Sequence, residues 1–203
     1  NALKASMRHD PDVILVGEIR DREAMDVAFQ AALTGHLVFT TIHATSVLAA
    51  FGRLKELGLS AYMINTGLKA IVCQRLVRIL CPECREAYVP SPEEVEFWGL
   101  TPPEESTSNV FYRPVGCRFC DDSGFRGRRA VFRLLQMDNS VRGAITDTLE
   151  TGELQDVVEA VALGTANDYA QILLWSGITS HIELRKTLDM FDFVKKLGHH
   201  DAL

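Results

Sequence analysis

Four cysteines constrain the fold of this chain more than any other feature of its sequence. They form two C-x-x-C pairs, Cys81/Cys84 and Cys117/Cys120, with residues 85–116 between them. Each pair can place two thiolates on one side of a tetrahedral ion, and the two pairs together complete the ligand shell. Because four sulfur ligands leave no open position for water, the spacing predicts a structural Zn²⁺ site.

The segment around these cysteines, residues 81–126, is rich in proline and has few large apolar side chains. A bound metal would replace the apolar core that such a segment cannot build. Two alternatives are that the cysteines are four unrelated thiols, or that each pair is redox-active. No thioredoxin-like pattern accompanies either pair, and the sequence shows no secretory signal. Metal binding by reduced thiols is therefore favoured over disulfide chemistry.

Residues 1–80 alternate between strand-like and helix-like patterns. We predict strands at "VILVG", buried on both faces, and at "HLVFTTIHA". Helices are predicted at "DREAMDVAFQAALTG" and "TSVLAAFGRLKELG", and one long helix at "SAYMINTGLKAIVCQRLVRIL". This order predicts an α/β fold, in which a parallel sheet has helices on both faces.

The rest of the chain does not continue the strand–helix alternation of residues 1–80. Residues 81–126 form the predicted zinc-binding insert, with one helix at "SPEEVEFWG". Residues 127–203 are predicted to form a C-terminal subdomain, in which the short strand "RAVFRLL" precedes several helices. The formal charge of −6 argues against binding to nucleic acid through a basic surface. No uninterrupted apolar run approaches the roughly 18 residues that a membrane span needs.

A carboxylate follows the first predicted strand in "VILVGEIRD", where Glu18 stands. A buried strand that ends in a carboxylate can hold Mg²⁺ through water, or take a proton from the water that attacks a γ-phosphate. His36 and His43 flank the second strand and would form a cluster with Glu18 at the same end of the sheet. Each of these residues alone also has an ordinary structural explanation. The sequence has no G-x-x-x-x-G-K-[S/T] loop, the usual partner of such a strand.

Several of these stretches closely resemble the secretion ATPase superfamily, the motors of type II secretion and of type IV pilus assembly and retraction. The family's Walker B motif matches "VILVGEIRD", and its histidine box matches "TGHLVFTTIHATS". The resemblance continues through "AFGRLKELGLSAYMINTGLKAIVCQRLVRILCPEC" and "GCRFCDDSGFRGRRAVFRLLQMD", and more weakly through "SGITSHIELRKTL". The four-cysteine insert is similar to that of secretion and pilus-extension motors, since retraction motors generally lack it.

The resemblance implies a role for individual residues. Glu18 matches the catalytic glutamate, and His43 matches the histidine on the γ-phosphate side of the site. Arg20 follows the glutamate, so it would either orient Glu18 or contact the nucleotide. His36 comes earlier in the histidine box and is expected to be structural. Arg133 departs from the family pattern, which usually has an acidic residue at that position.

The resemblance also implies the fold and the function. The chain would be the C-terminal part of a RecA-like P-loop ATPase, because the P-loop and an aspartate box precede Walker B in the family. The implied cofactors are ATP, Mg²⁺ and Zn²⁺. A homohexamer would couple ATP hydrolysis to pilus assembly or type II secretion, in the cytoplasm at the periphery of the inner membrane. Its partners would be an inner-membrane platform protein and other membrane-associated components, with no nucleic acid.

The missing P-loop leaves one alternative open. In either case residues 1–80 are predicted to be a partial RecA-like ATPase core, which is not expected to hydrolyse ATP by itself. The alternative concerns what the chain does. In the alternative, the chain is a non-hydrolysing interaction module that binds the secretion or pilus platform.

Overall fold

The computed structural model describes residue 9 and residues 11–101, 109–146 and 151–188 of the 203-residue chain. These residues form two compact units. The first contains the described residues up to Cys73 together with Leu134–Leu163, and the second contains Gln74–Arg133 with the described residues from Gly164 onward. The three predicted segments divide the chain differently, and that functional division stays a prediction.

The first unit begins as the predicted alternation of strands and helices. Its first elements are β1 (Val13–Val16), α1 (Arg22–Leu33), β2 (Leu37–Thr40), α2 (Val47–Glu56) and α3 (Ala61–Gly67). Strand β1 pairs in parallel with β2, in a register that joins Val13 to Leu37 and Val16 to Thr40. Parallel neighbours need a crossover connection, and α1 supplies it. The predicted α/β class is therefore confirmed.

Local sequence signals explain where the first helices begin and end. Asp21 is extended and accepts a hydrogen bond from the Ala24 N–H at 2.8 Å, which caps α1. Ser46 caps α2 in the same way through the N–H of Ala49. Gly35 follows α1 with φ of +104°, a conformation that disfavours any side chain. Each of these helix ends therefore follows from a local signal in the sequence.

The strand pair is buried on one face only, which corrects the prediction of a sheet covered on both faces. Ile14 in β1 is 6% exposed, whereas its neighbour Leu15 is 79% exposed. In β2, Leu37 and Phe39 are likewise exposed. Successive side chains of a strand point to opposite faces. Among the described residues, helices cover only the face that holds Ile14. We call the other face, formed by Val13, Leu15, Leu37 and Phe39, the open face.

The predicted long helix over residues 60–80 is wrong. Helix α3 ends at Gly67, and Ala70–Leu80 forms strand β3. This stretch contains Ile71, Val72, Val77 and Ile79, which are β-branched and favour strands. Strand β3 pairs with a distant strand, β6 (Phe125–Gln136), which is longer than the predicted "RAVFRLL". Cys73 therefore lies in a strand and not in a helix.

Among the remaining elements, the helices follow the predicted order, and a short strand pair in the insert was not predicted. In the second unit β4 (Glu86–Tyr88) pairs antiparallel with β5 (Phe111–Arg113). Its helices are α4 (Pro92–Phe97), α7 (Ala166–Leu173) and α8 (His181–Leu188), and Arg118–Cys120 forms a 3₁₀ turn. The first unit also contains α5 (Asn139–Ala144) and α6 (Thr151–Val161). No helix among the described residues is both long and apolar enough to cross a membrane.

Each unit has an apolar core of its own. In the first unit, side chains of α1 to α3 pack with those from the end of β6 and from the residues after it. The fully buried members are Met25, Phe51, Ile64, Leu135, Val141, Leu154 and Val158. In the second, residues of the predicted insert and of the C-terminal helices are buried together: Trp98, Phe111, Leu173, Leu174, Leu184 and Leu188. Phe111 contacts Trp175 at a centroid distance of 4.9 Å. The insert therefore draws part of its core from α7 and α8.

Candidate active site and metal centre

Glu18 lies just beyond the carboxyl end of β1, and the backbone on both of its sides is fixed. Ile19 buries its side chain in the core of the first unit and is 2% exposed. Its N–H donates to the Thr41 carbonyl oxygen at 3.1 Å. The Thr41 hydroxyl donates in turn to the Gly17 carbonyl oxygen at 2.6 Å. The ends of β1 and β2 are thus joined around Glu18.

The two carboxylate oxygens of Glu18 have different surroundings. Arg20 donates to Oε2 from Nε at 2.8 Å and lies 2.6 Å from it through Nη2. His43 Nε2 lies 3.1 Å from Oε1, but Oε1 is buried and has no hydrogen-bond partner. The ring is close enough for an ion pair and is not aligned for a hydrogen bond, so we take the hydrogen-bonding capacity of Oε1 as free.

Electrostatics favour the ionised form of this carboxyl group. The hydrogen bond from Arg20 is the main reason that the pKa of Glu18 lies below its ordinary value. Charge attraction by Arg20 and His43 lowers it further, while partial burial opposes both. Glu18 is therefore a carboxylate near neutral pH, with one oxygen held and the other available.

The structure separates the two histidines that the sequence placed together. His43 stands beside Glu18, as predicted. His36 instead turns toward the end of α1, where Nδ1 lies 3.0 Å from the Ala31 carbonyl oxygen and 3.3 Å from the Thr34 hydroxyl. The ring thus contacts a backbone carbonyl oxygen at the helix C-terminus, where intrahelical partners are lacking. His36 does not join the expected cluster, which contains Glu18 and His43, and its structural role stays a prediction.

The four cysteines converge as their spacing predicts. Their sulfur atoms all lie within 4.8 Å of one another. Three separations are 3.9 Å for Cys81 to Cys117, 3.8 Å for Cys84 to Cys120 and 3.7 Å for Cys117 to Cys120. Tetrahedral Zn–S bonds of about 2.3 Å would place sulfurs roughly 3.8 Å apart. The site therefore has the dimensions of a four-thiolate zinc centre.

Backbone amides also point at the sulfurs. The N–H of Gly116 donates to Cys84 Sγ, and the N–H groups of Cys117 and Gly124 donate to Cys120 Sγ, each at 3.3 Å. Such donors stabilise thiolates. Burial raises the pKa of Cys84 to about 11. Burial would also raise the pKa of Cys120, but the backbone donors and the neighbouring thiols outweigh it and lower this pKa to about 7.

Two glycines make these sulfur contacts possible, and sequence reasoning missed them. Gly116 and Gly124 have φ of +109° and +74°. A Cβ at Gly116 would lie 2.7 Å from the Asp122 carbonyl oxygen, and one at Gly124 would lie 2.4 Å from Pro114 Cβ. Neither glycine can carry a side chain without moving the backbone. The available signal was their nearness to the second cysteine pair, since Gly116 directly precedes Cys117 and Gly124 stands four residues after Cys120.

Fold and site together define a class of protein. In open α/β sheets, ligands bind beyond the carboxyl ends of the strands, and this is where Glu18 stands. A nucleotide-binding α/β protein with a structural metal module fits both sites. The family described as "Type II/IV secretion system protein" matches residues 1–186, and the chain belongs to this family.

Individual relatives agree with this assignment. Type II secretion system protein E of Dickeya dadantii is 46% identical over 143 residues, which are 70% of this chain and 28% of that protein. The type IV pilus assembly ATPase PilB of Thermus thermophilus is 36% identical over 189 residues, 93% of this chain and 21% of PilB. The resemblance to secretion and pilus ATPases is confirmed. The chain spans less than a third of the length of either relative.

A solved structure supports the fold. The X-ray structure of the Legionella pneumophila ATPase DotB superposes with a TM-score of 0.61 at 21% identity, covering 91% of this chain and 41% of DotB. At that identity the likeness concerns the fold alone.

Proposed function

We propose that this chain supplies the Walker B and histidine-box side of an ATPase that powers type II secretion or type IV pilus assembly. The observation that carries the proposal is the Glu18 carboxylate at the carboxyl end of β1, with Oε2 held by Arg20 and a buried Oε1 left without a hydrogen-bond donor. The similarity to a type II secretion system protein E and to a type IV pilus assembly ATPase supports the same activity. Because the chain spans 28% of the first of them, we assign it to a longer protein.

In this proposal Glu18 is the general base. Oε1 accepts the proton of the attacking water, because it is the oxygen whose hydrogen-bonding capacity is free. Arg20 holds the other oxygen and keeps the group ionised, so it orients the base and does not bind the nucleotide. His43 lies 3.1 Å from Oε1 and its side chain is exposed, so in this proposal its ring contacts the water or the γ-phosphate. Bound Mg²⁺ supplies charge neutralisation to the phosphates of ATP.

The metal centre has a separate role in this proposal. Cys81, Cys84, Cys117 and Cys120 hold one Zn²⁺ in a closed shell, which stabilises the second unit and takes no part in hydrolysis. We assign the zinc module and the C-terminal helices to contacts with partners. These partners are other copies in a homohexamer and an inner-membrane platform protein with its associated components. The protein would act in the cytoplasm at the membrane periphery.

Substitution of Glu18 by Gln in the full-length protein tests the activity. The amide keeps the shape of the side chain but cannot take a proton, so turnover should fall by roughly 10²- to 10⁴-fold while ATP binding is nearly unchanged. Phosphate release and nucleotide affinity measure the two quantities. Glu56→Gln is the control, because it removes an exposed carboxylate that pairs with Arg53 on α2, away from the strand ends.

Two results would contradict the proposal. Turnover of Glu18→Gln at the parent rate would mean that another group is the base. A full-length parent that binds ATP without hydrolysing it would favour the alternative of a non-hydrolysing interaction module.

A further inference from the structure

Thr41 makes two contacts that lie on either side of Glu18. Its hydroxyl donates to the carbonyl oxygen of Gly17 at 2.6 Å, across 24 positions of sequence. Its own carbonyl oxygen accepts the N–H of Ile19 at 3.1 Å. One residue of β2's extension therefore holds the backbone directly before and directly after Glu18.

The rest of the site does not constrain the backbone in this way. Arg20 and His43 contact the carboxylate only from their own side chains, which are 78% and 91% exposed. Gly17 has no side chain, and nothing lies within 4 Å of the position that its Cβ would occupy. A glycine at this point leaves the peptide before Glu18 free to rotate unless its carbonyl oxygen is held. The Thr41 hydroxyl holds it.

We propose that Thr41 is a positioning residue that sets the direction of the Glu18 carboxylate through the Gly17 carbonyl group. This inference rests on the proposed function, since it concerns the orientation of the proposed base. Loss of the hydroxyl removes the contact before Glu18 and keeps the backbone bond after it. The peptide between Gly17 and Glu18 can then rotate, and Oε1 moves relative to the attacking water.

The adjacent threonine provides a matched comparison. The Thr40 hydroxyl donates to the Thr41 carbonyl oxygen at 3.4 Å, and within the described part of the chain it makes no hydrogen bond to β1. Both threonines are exposed, so replacement of either hydroxyl by a methyl group buries no polar atom and opens no cavity. Thr41→Val and Thr40→Val therefore make the same chemical change one position apart.

The experiment measures turnover and ATP affinity in the full-length protein. Thr41→Val should lower turnover by on the order of 10- to 100-fold, the effect of a small misplacement of a reacting group. Affinity for ATP should stay within about twofold, because Thr41 acts on the base and not on the ligand. Thr41→Ser keeps the hydroxyl and should restore turnover. Thr40→Val should match the parent, and Thr41→Ala should repeat the loss seen with valine.

Three results would overturn the inference. The first is parent-like turnover in both Thr41→Val and Thr41→Ala. The second is a loss of turnover in Thr41→Ser as large as that in Thr41→Val, because the loss would then not come from the missing hydroxyl group. The third is a loss of ATP affinity without a loss of turnover. Glu18→Gln tests the proposed function separately: if it lowers turnover and Thr41→Val does not, only the inference about Thr41 fails.

Discussion

At the scale of single residues, the geometry of the site depends on three neighbours that contact the Glu18 side chain or the backbone beside it. Arg20 occupies one carboxylate oxygen, His43 stands beside the other, and Thr41 fixes the peptides on both sides. A general base needs its free oxygen aimed at the water and its proton already lost. Each neighbour contributes to the orientation or to the ionisation of Glu18. Replacement of each one should therefore change ATP hydrolysis in a different way.

Replacement of Arg20 by Gln should change the pH dependence of ATP hydrolysis. Arg20 lowers the pKa of Glu18, chiefly by its hydrogen bond. Without it the pKa rises toward its ordinary value, so the carboxylate is protonated at a higher pH. The acidic limb of the turnover profile should therefore move to higher pH, and turnover at neutral pH should fall by about 10-fold because the base is less well oriented.

Arg22→Gln is the control for this prediction, since Arg22 pairs with Asp26 in α1 and does not contact Glu18. An unmoved acidic limb with weaker ATP binding would show instead that Arg20 contacts the nucleotide.

At the scale of elements, the second unit joins the predicted insert to α8 through aromatic contacts around His181. Trp98 is buried at the end of α4, and its indole N–H donates to Nδ1 of His181 at 2.7 Å. Because an indole can only donate, Nδ1 must be unprotonated, and the proton of the neutral ring is on Nε2. Arg185 stacks on Phe97 beside this pair. A second proton on His181 would remove the acceptor.

The stability of the zinc-loaded protein should therefore fall in weak acid through His181. Burial lowers the pKa of His181, Arg185 lowers it further and Glu94 opposes both. As pH falls through the ordinary histidine range near about 6.5, the unfolded chain gains a proton that the folded chain excludes, so folding weakens. Thermal unfolding at about pH 7.5 and about pH 5.5 should show a smaller pH effect in His181→Gln than in the parent. An equal effect of pH on the unfolding temperature of His181→Gln and of the parent would contradict this prediction.

The elements also show what the sequence could specify. The helix caps at Asp21 and Ser46 and the convergence of the paired cysteines follow from local signals. Strand β3 was misassigned because its apolar pattern fits a helix as well, and only pairing with the distant β6 decides between them. The link from Thr41 to Gly17 is equally non-local. The roles of Glu18, Arg20 and His43 stay predictions, although their proximity is observed.

At the scale of the whole molecule, the two units have separate cores, and the four clustered cysteines all lie in the second. Cys81 and Cys120 are buried within that unit. A structural zinc site can contribute on the order of 10 kcal/mol to folding. We therefore expect metal loss to act on one unit far more than on the other.

Purified protein should contain about one Zn²⁺ per chain, and Cys84→Ser should release it. Hydrogen exchange should then become fast in the second unit, for example in β4 and β5, while α1 and α2 in the first unit stay protected. Cys73→Ser is the control and should retain the metal, since Cys73 lies outside the cluster. Metal analysis that finds no zinc in freshly reduced protein would refute the assignment.

The open face of the strand pair has a practical consequence for anyone who handles this chain by itself. Val13, Leu15, Leu37 and Phe39 present a contiguous set of apolar side chains to water. Association of two such surfaces lowers the free energy of the system, because it removes apolar side chains from water. The rate of this association rises with the square of the protein concentration. Dilution will therefore preserve the monomer better than cooling, because hydrophobic attraction weakens only slowly as temperature falls.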